Sequence, residues 1–148
     1  PRFVAVQAEG CAPLVKAWDE KAETTSLWEN PVTDAPGLRV PGPFAGRQML
    51  KIMRDTGGHA RAVSEQEIVE AQKLLARVEG IWTAPEAAAA LAALCQMKET
   101  GEVDAAARIV IVLTGAGIKN APPVLPAPVH LEGDEAQVLA RVRTALRL

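Results

Sequence analysis

Apolar and polar positions follow two different periods along this chain, and the changes of period mark its elements. Residues 3–8, Phe3-Val4-Ala5-Val6-Gln7-Ala8, have the aromatic and β-branched content of a short buried strand, and Glu9-Gly10 ends it as a turn would. A helix over 13–21 follows, with Pro13 in its first turn, where a missing N–H costs nothing. From 23 to 43 the pattern breaks at Pro31, Pro36, Gly37, Pro41, Gly42 and Pro43, and the stretch reads as a long ordered loop of the kind that often carries function. Across 44–56, Met49, Leu50, Ile52 and Met53 put apolar groups on one helical face, and Gly57-Gly58 ends that helix because glycine accepts left-handed geometry.

A second strand is expected over 60–63. Ser64 and Glu67 have the spacing of a capping box, opening a helix in which Ile68, Ala71, Leu75 and Val78 recur at helical spacing until Gly80. Pro85 begins the next helix, whose alanine-rich body over 86–98 suits close packing against a sheet, with Gly101 as its stop. Ile109-Val110-Ile111-Val112, within 108–113, is unbroken, as in a central strand covered on both faces, and Thr114-Gly115-Ala116-Gly117 is the turn at its carboxyl end. Pro122, Pro123, Pro126 and Pro128 make an extended connector, after which Asp134 and Gln137 cap a last helix bearing Val138, Val142 and Leu146.

Strands separated by helices predict an α/β fold, a three-layer sandwich with a mostly parallel sheet and right-handed crossovers, in a single domain over 1–148. Ligands of such sheets sit beyond the carboxyl ends of the strands, which directs attention to Glu9-Gly10-Cys11 and to residues 114–117. The chain opens on Pro1 and enters an apolar stretch within two residues, so it reads as the C-terminal fragment of a longer chain.

Composition narrows the function classes. With 49% hydrophobic and 23% charged residues the chain is globular, and no apolar run approaches the roughly 18 residues of a membrane span. A net charge of −2 with interspersed signs offers no basic stripe, so neither nucleic acid nor membrane is expected as a partner. Cys11 and Cys95 follow no metal-ligand spacing and read as buried thiols of a reducing, cytoplasmic compartment. Gly115-Ala116-Gly117 fits neither a dinucleotide fingerprint, whose third glycine position holds Asn120, nor a phosphate-loop lysine pattern. Arg39 reads as half of a structural ion pair, His59 and His130 as surface residues, and Trp18, Trp28 and Trp82 as packing residues. Glu9, Glu79 and Glu86 read as carboxylates that gain from helix dipoles rather than as acid–base pairs.

Four segments carry a resemblance when taken in order: Val6-Gln7-Ala8-Glu9-Gly10-Cys11-Ala12-Pro13, Gly37-Leu38-Arg39-Val40-Pro41, Glu79-Gly80-Ile81 with Pro85-Glu86-Ala87-Ala88, and Leu113-Thr114-Gly115-Ala116-Gly117-Ile118-Lys119. Together they resemble the second half of threonine synthases, over residues 3–120. The resemblance implies the second fold type of pyridoxal-phosphate enzymes, in which a cleft between two α/β domains holds the cofactor and this chain is part of the large domain. It implies the conversion of O-phosphohomoserine and water to threonine and phosphate by an enzyme expected to be a homodimer.

In that family the Schiff-base lysine and the glycine-rich loop for the cofactor phosphate lie upstream. Lys16, Lys21, Lys51, Lys73, Lys98 and Lys119 match no Schiff-base motif, so the isolated chain is expected to be inactive and no catalytic residue is assigned. What carries over is cofactor binding. Thr114 matches the threonine that hydrogen-bonds the pyridine nitrogen, Gly115 lies in the same turn, and Gly37 belongs to a loop passing beside the cofactor, where glycine admits close backbone approach. A hydroxyl is a neutral partner for the ring nitrogen, whereas a carboxylate would hold the ring as a pyridinium and strengthen its electron sink. Alternatives are a threonine deaminase-like enzyme of the same fold type and a non-catalytic α/β binding domain.

Overall fold

The computed structural model describes residues 1–120 and 131–146. β1 (Val4–Ala8) and β2 (His59–Val63) pair in parallel, with Val4 opposite His59 and Ala8 opposite Val63. Successive strand side chains point to opposite faces, so this register gathers Ala5 and Ala60 on one face and Val6, Ala8 and Val63 on the other. α1 (Pro13–Asp19) and α2 (Gly46–Thr56) cover the first face through Leu14, Ala17, Leu50 and Met53. α3 (Glu65–Glu79) and α4 (Pro85–Glu99) cover the second through Ile68, Ala71, Ala88, Ala89, Ala92 and Ala93. The layers are therefore helix, parallel sheet, helix, as the alternation of elements predicts.

Local sequence explains most boundaries. The Ser64 hydroxyl accepts the Glu67 N–H at 3.2 Å while the Glu67 carboxylate accepts the Ser64 N–H at 2.7 Å, the reciprocal capping expected of that spacing. α2 ends at Gly57, whose φ of 64° is left-handed. α4 buries Ala87, Ala88, Ala89, Ala92 and Ala93, and small side chains let it approach the sheet and α3 closely. α1 lacks a side-chain cap at Ala12; Gln7, on the strand before it, supplies one, its Oε1 accepting the N–H groups of Leu14 at 2.8 Å and Val15 at 3.2 Å. α5 (Glu135–Leu146) is capped by Asp134, whose carboxylate accepts the Gln137 N–H at 2.9 Å. The proline-rich connector at Pro122, Pro123, Pro126 and Pro128, His130, and the side chain of Leu146 lie outside the described residues.

Four sequence expectations are corrected. The central strand over 108–113 is not formed; among the described residues the sheet has two strands, and Val110 and Val112 are 87% and 69% exposed. A central strand needs ladder partners along both sides for its N–H and C=O groups, and the β1–β2 pair supplies none beside this segment, so apolar content alone does not order it. Val78 is exposed rather than on the buried face of α3, and the buried line of α2 runs through Gly46, Leu50 and Met53 while Met49 and Ile52 stay half outside. His59 is not a surface residue; it sits within β2, its ring largely covered and 3.8 Å from the Glu102 carboxylate.

Candidate functional site

The carboxyl ends of β1 and β2 are roofed by the long loop. The chain leaves β1 with the Glu9 N–H bonded to the Val63 carbonyl at 2.9 Å, and the Gly10 carbonyl then accepts the Val32 N–H at 3.0 Å. The two backbones meet so closely that a Cβ on Gly10 would stand 1.8 Å from the Val32 carbonyl oxygen. Beyond this contact the Asp34 N–H donates to Glu65 at 3.2 Å, Thr33 and Ala35 are buried, and Leu38 packs against the α3–α4 side of the core. The loop is thus ordered, as expected, and it presents a 3-10 turn, Pro36–Leu38, at the end of the sheet where ligands of parallel sheets bind.

Gly37 is exposed in this turn, and its N–H donates to the Glu86 carboxylate at 2.8 Å. Glu86 lies in the first turn of α4. The residues just before that helix hold the other loop: the Gly115 carbonyl accepts the Ala84 N–H at 2.9 Å and the Thr83 hydroxyl at 2.8 Å, and the Gly117 N–H donates to the Trp82 carbonyl at 2.9 Å. Residues 82–86 therefore tether both segments singled out from the sequence, the one with Gly37 and the one with Thr114 and Gly115. The Thr114 side chain is exposed, and among the described residues its hydroxyl has no hydrogen-bond partner. Thr83, in contrast, is 1% exposed, and its carbonyl accepts Gln72 at 2.9 Å.

Sequence reasoning missed Thr83 and Glu86 as parts of this arrangement. Pro85 signalled the helix start, but nothing in Thr83-Ala84-Pro85-Glu86 says that two distant loops converge there. The dipole reading holds for Glu86; Glu79 ends α3 and Glu9 lies in the turn after β1, so neither is a helix-start carboxylate. Among the described residues Arg39 forms no ion pair. Its charge instead acts on Cys11: burial pushes that thiol up, while a backbone hydrogen bond from Val40 and the Arg39 guanidinium partly offset the rise. Cys11 is fully buried and thus held as a thiol, unsuited to nucleophilic work.

A second polar cluster has a structural role. Arg61 on β2 makes a two-pronged contact to Glu102 at 2.6 and 2.7 Å, and Gln96 on α4 bonds Glu67 at 2.6 Å. The Thr100 hydroxyl and then Arg61 hold the Glu102 carboxyl below the ordinary range. Burial pushes Glu67 upward, but the hydrogen bonds from Gln96 and Ser64 outweigh it and the net shift is downward. A groove of about 560 Å³ between α3 and α4 includes none of Gly37, Thr114 and Gly115, and its lining mixes Glu70, Lys73, Arg77 and Glu99. Among the described residues no group of His, Cys, Asp or Glu is arranged to hold a metal ion, and no helix is long and apolar enough to cross a membrane.

Comparison with known proteins gives this geometry a lineage. The chain is 38% identical over 145 residues to the threonine synthase of Methanocaldococcus jannaschii, a match covering 96% of this chain and 36% of that protein. It is 36% identical over 125 residues to the threonine synthase of Methanosarcina acetivorans, covering 84% of this chain and 31% of the relative. The chain spans about a third of the length of the curated relatives it matches. A crystal structure of a threonine deaminase from T.th. superposes with a TM-score of 0.58 over 82% of this chain and 42% of that one, at 22% identity, a likeness of fold. The family described as pyridoxal-phosphate dependent enzyme matches residues 1–115, β1 through the Thr114-Gly115 turn, and the chain belongs to that family.

Proposed function

We propose that this chain forms one wall of the cofactor cleft of a threonine synthase, an enzyme converting O-phosphohomoserine and water to threonine and phosphate. The observation that carries this reading is the 38% identity to a threonine synthase sustained over 145 residues, which includes both tethered loops. The likeness to a threonine deaminase speaks for the scaffold and not for the reaction.

The residues present fit the cofactor. A pyridine nitrogen requires a donor with a free side, and the exposed Thr114 hydroxyl, without a partner among the described residues, offers one. When bound, pyridoxal phosphate supplies an electron sink for charge developing on substrate carbon. Thr114 would donate to the ring nitrogen and, being neutral, leave that sink weaker than a carboxylate partner would. Gly115 holds the turn through its doubly bonded carbonyl, and Gly37 presents backbone without a side chain to the same end of the fold. In this reading the lysine that carries the cofactor is supplied from outside these residues, and the enzyme works as a cytoplasmic homodimer.

The test is phosphate release. The protein as its own gene encodes it, given cofactor and O-phosphohomoserine, should release phosphate and threonine in equal amounts, and the 148-residue chain by itself should release none. Deamination of threonine by that protein, without phosphate release from phosphohomoserine, overturns the assignment; turnover by the isolated chain overturns the wall-only role.

A further inference from the structure

The start of α4 is joined to two loops that are remote from each other in sequence, and each tether ends on a group the sequence alone would pass over. On one side the Gly115 carbonyl takes two donors, the Ala84 N–H at 2.9 Å and the Thr83 hydroxyl at 2.8 Å. Thr83 is buried to 1% exposure, so its hydroxyl would be an unmet polar group without this acceptor. On the other side the Glu86 carboxylate accepts the Gly37 N–H at 2.8 Å, and the Glu86 stem packs so tightly on Gly37 that a Cβ there would lie 2.8 Å from Glu86 Cγ. Each of these side chains acts through a backbone group, next to Thr114 in one case and within the Pro36–Leu38 turn in the other.

We propose that Thr83 and Glu86 are positioning residues for the cofactor wall, Thr83 setting the direction of the Thr114 hydroxyl through the Gly115 carbonyl and Glu86 setting the Pro36–Leu38 turn through the Gly37 N–H. This rests on the reading of Thr114 and Gly37 as cofactor neighbours. The geometry makes α4 a common anchor. A shift at the start of α4 moves both loops together, whereas loss of one side-chain tether loosens one loop, which main-chain bonds such as that from the Ala84 N–H to the Gly115 carbonyl still hold at the 114–117 side, and leaves the other in place. The rest of α4 is fixed by its buried alanines, from Ala87 to Ala93, which are independent of either tether.

The chemistry supplies matched substitutions. Thr83→Val keeps the shape and removes the hydroxyl, and Thr83→Ser restores it. Glu86→Met keeps the stem and removes the acceptor, and Glu86→Gln retains a side-chain carbonyl oxygen that can accept the Gly37 N–H. In the protein as its own gene encodes it and without cofactor, hydrogen exchange should quicken roughly five- to tenfold at residues 114–118 in Thr83→Val only, the factor expected for losing one hydrogen bond of ordinary strength. It should quicken similarly at 36–40 in Glu86→Met only. Thr83→Ser and Glu86→Gln should return the parent rates, and exchange in β1 and β2 should be unchanged in all four, which reports an intact fold.

With cofactor added, Thr83→Val should shift the absorption band of the bound cofactor and Glu86→Met should weaken cofactor affinity, with rescue by the same conservative variants. Unchanged exchange in both Thr83→Val and Glu86→Met overturns the positioning roles. Exchange altered as expected, with cofactor affinity and absorption as in the parent, overturns instead the placement of Thr114 and Gly37 beside the cofactor.

Discussion

Replacing Gly10 by alanine tests how the roof over the strand ends is held. The added Cβ would stand 1.8 Å from the Val32 carbonyl oxygen, where ordinary contact begins at 3.4 Å, so one backbone must retreat by more than an ångström. No side-chain rotation relieves this, because the obstacle is main chain on both sides. Overpacking of this kind costs about 1–3 kcal/mol. The retreat also breaks the Val32 N–H bond to the Gly10 carbonyl, at a net cost of about 1 kcal/mol. The sum, about 2–4 kcal/mol, should appear as a lower urea midpoint at unchanged slope, read by far-UV circular dichroism. Gly57→Ala is the internal comparison: its φ of 64° is left-handed but no atom lies within 4 Å of the new Cβ, so its cost is only the conformational one, about 1 kcal/mol. The reasoning fails if Gly10→Ala is no more destabilising than Gly57→Ala. It fails equally if the loss arises without faster exchange across residues 32–38.

Two further outcomes follow from polar groups. Gln7→Ala removes the acceptor for the first free N–H groups of α1 and should lower stability by about 1–2 kcal/mol, while Gln7→Glu should keep most of it because a carboxylate still accepts and complements the helix dipole; equal urea midpoints for parent and Gln7→Ala would sink the capping role. Burial and then the Arg61 charge hold the His59 imidazole below its ordinary 6.5, with Arg2 adding to the depression and Glu102 opposing it. The unfolded chain thus takes up a proton first, so stability should decline as pH falls through 6.5, a slope that His59→Gln should flatten in thermal melts. The lowered Glu67 and Glu102 carboxyls act in a separate window: their contribution is present above 4.5 and fades as pH falls below it.

What the sequence made legible was mainly what depends on short-range rules. The Ser64–Glu67 box, the Pro85 helix start, the Gly57 and Gly80 stops and the Asp134–Gln137 cap all appear in the structure because each is satisfied within one helical turn. The sheet was harder. Residues 108–113 have strand composition, but a strand exists only with a neighbour, and neighbours are a property of the assembled fold. Gln7 read as one polar position of a strand, and its role in capping the following helix depends on where β1 places it relative to Leu14. Gly37, Thr114 and Gly115 were reached through resemblance, and the structure brings their loops to one helix end. Thr83 and Glu86 stayed hidden because hydrogen bonds from a loop to a remote helix leave no periodic trace.

The Gly115 carbonyl has both lone pairs committed, one to a main-chain donor and one to a buried side chain. Nothing approaching the turn from outside can use it as an acceptor. A ligand bringing an N–H in search of a carbonyl therefore finds none free at Gly115, and the side-chain polar group that this turn leaves open is the neighbouring Thr114 hydroxyl.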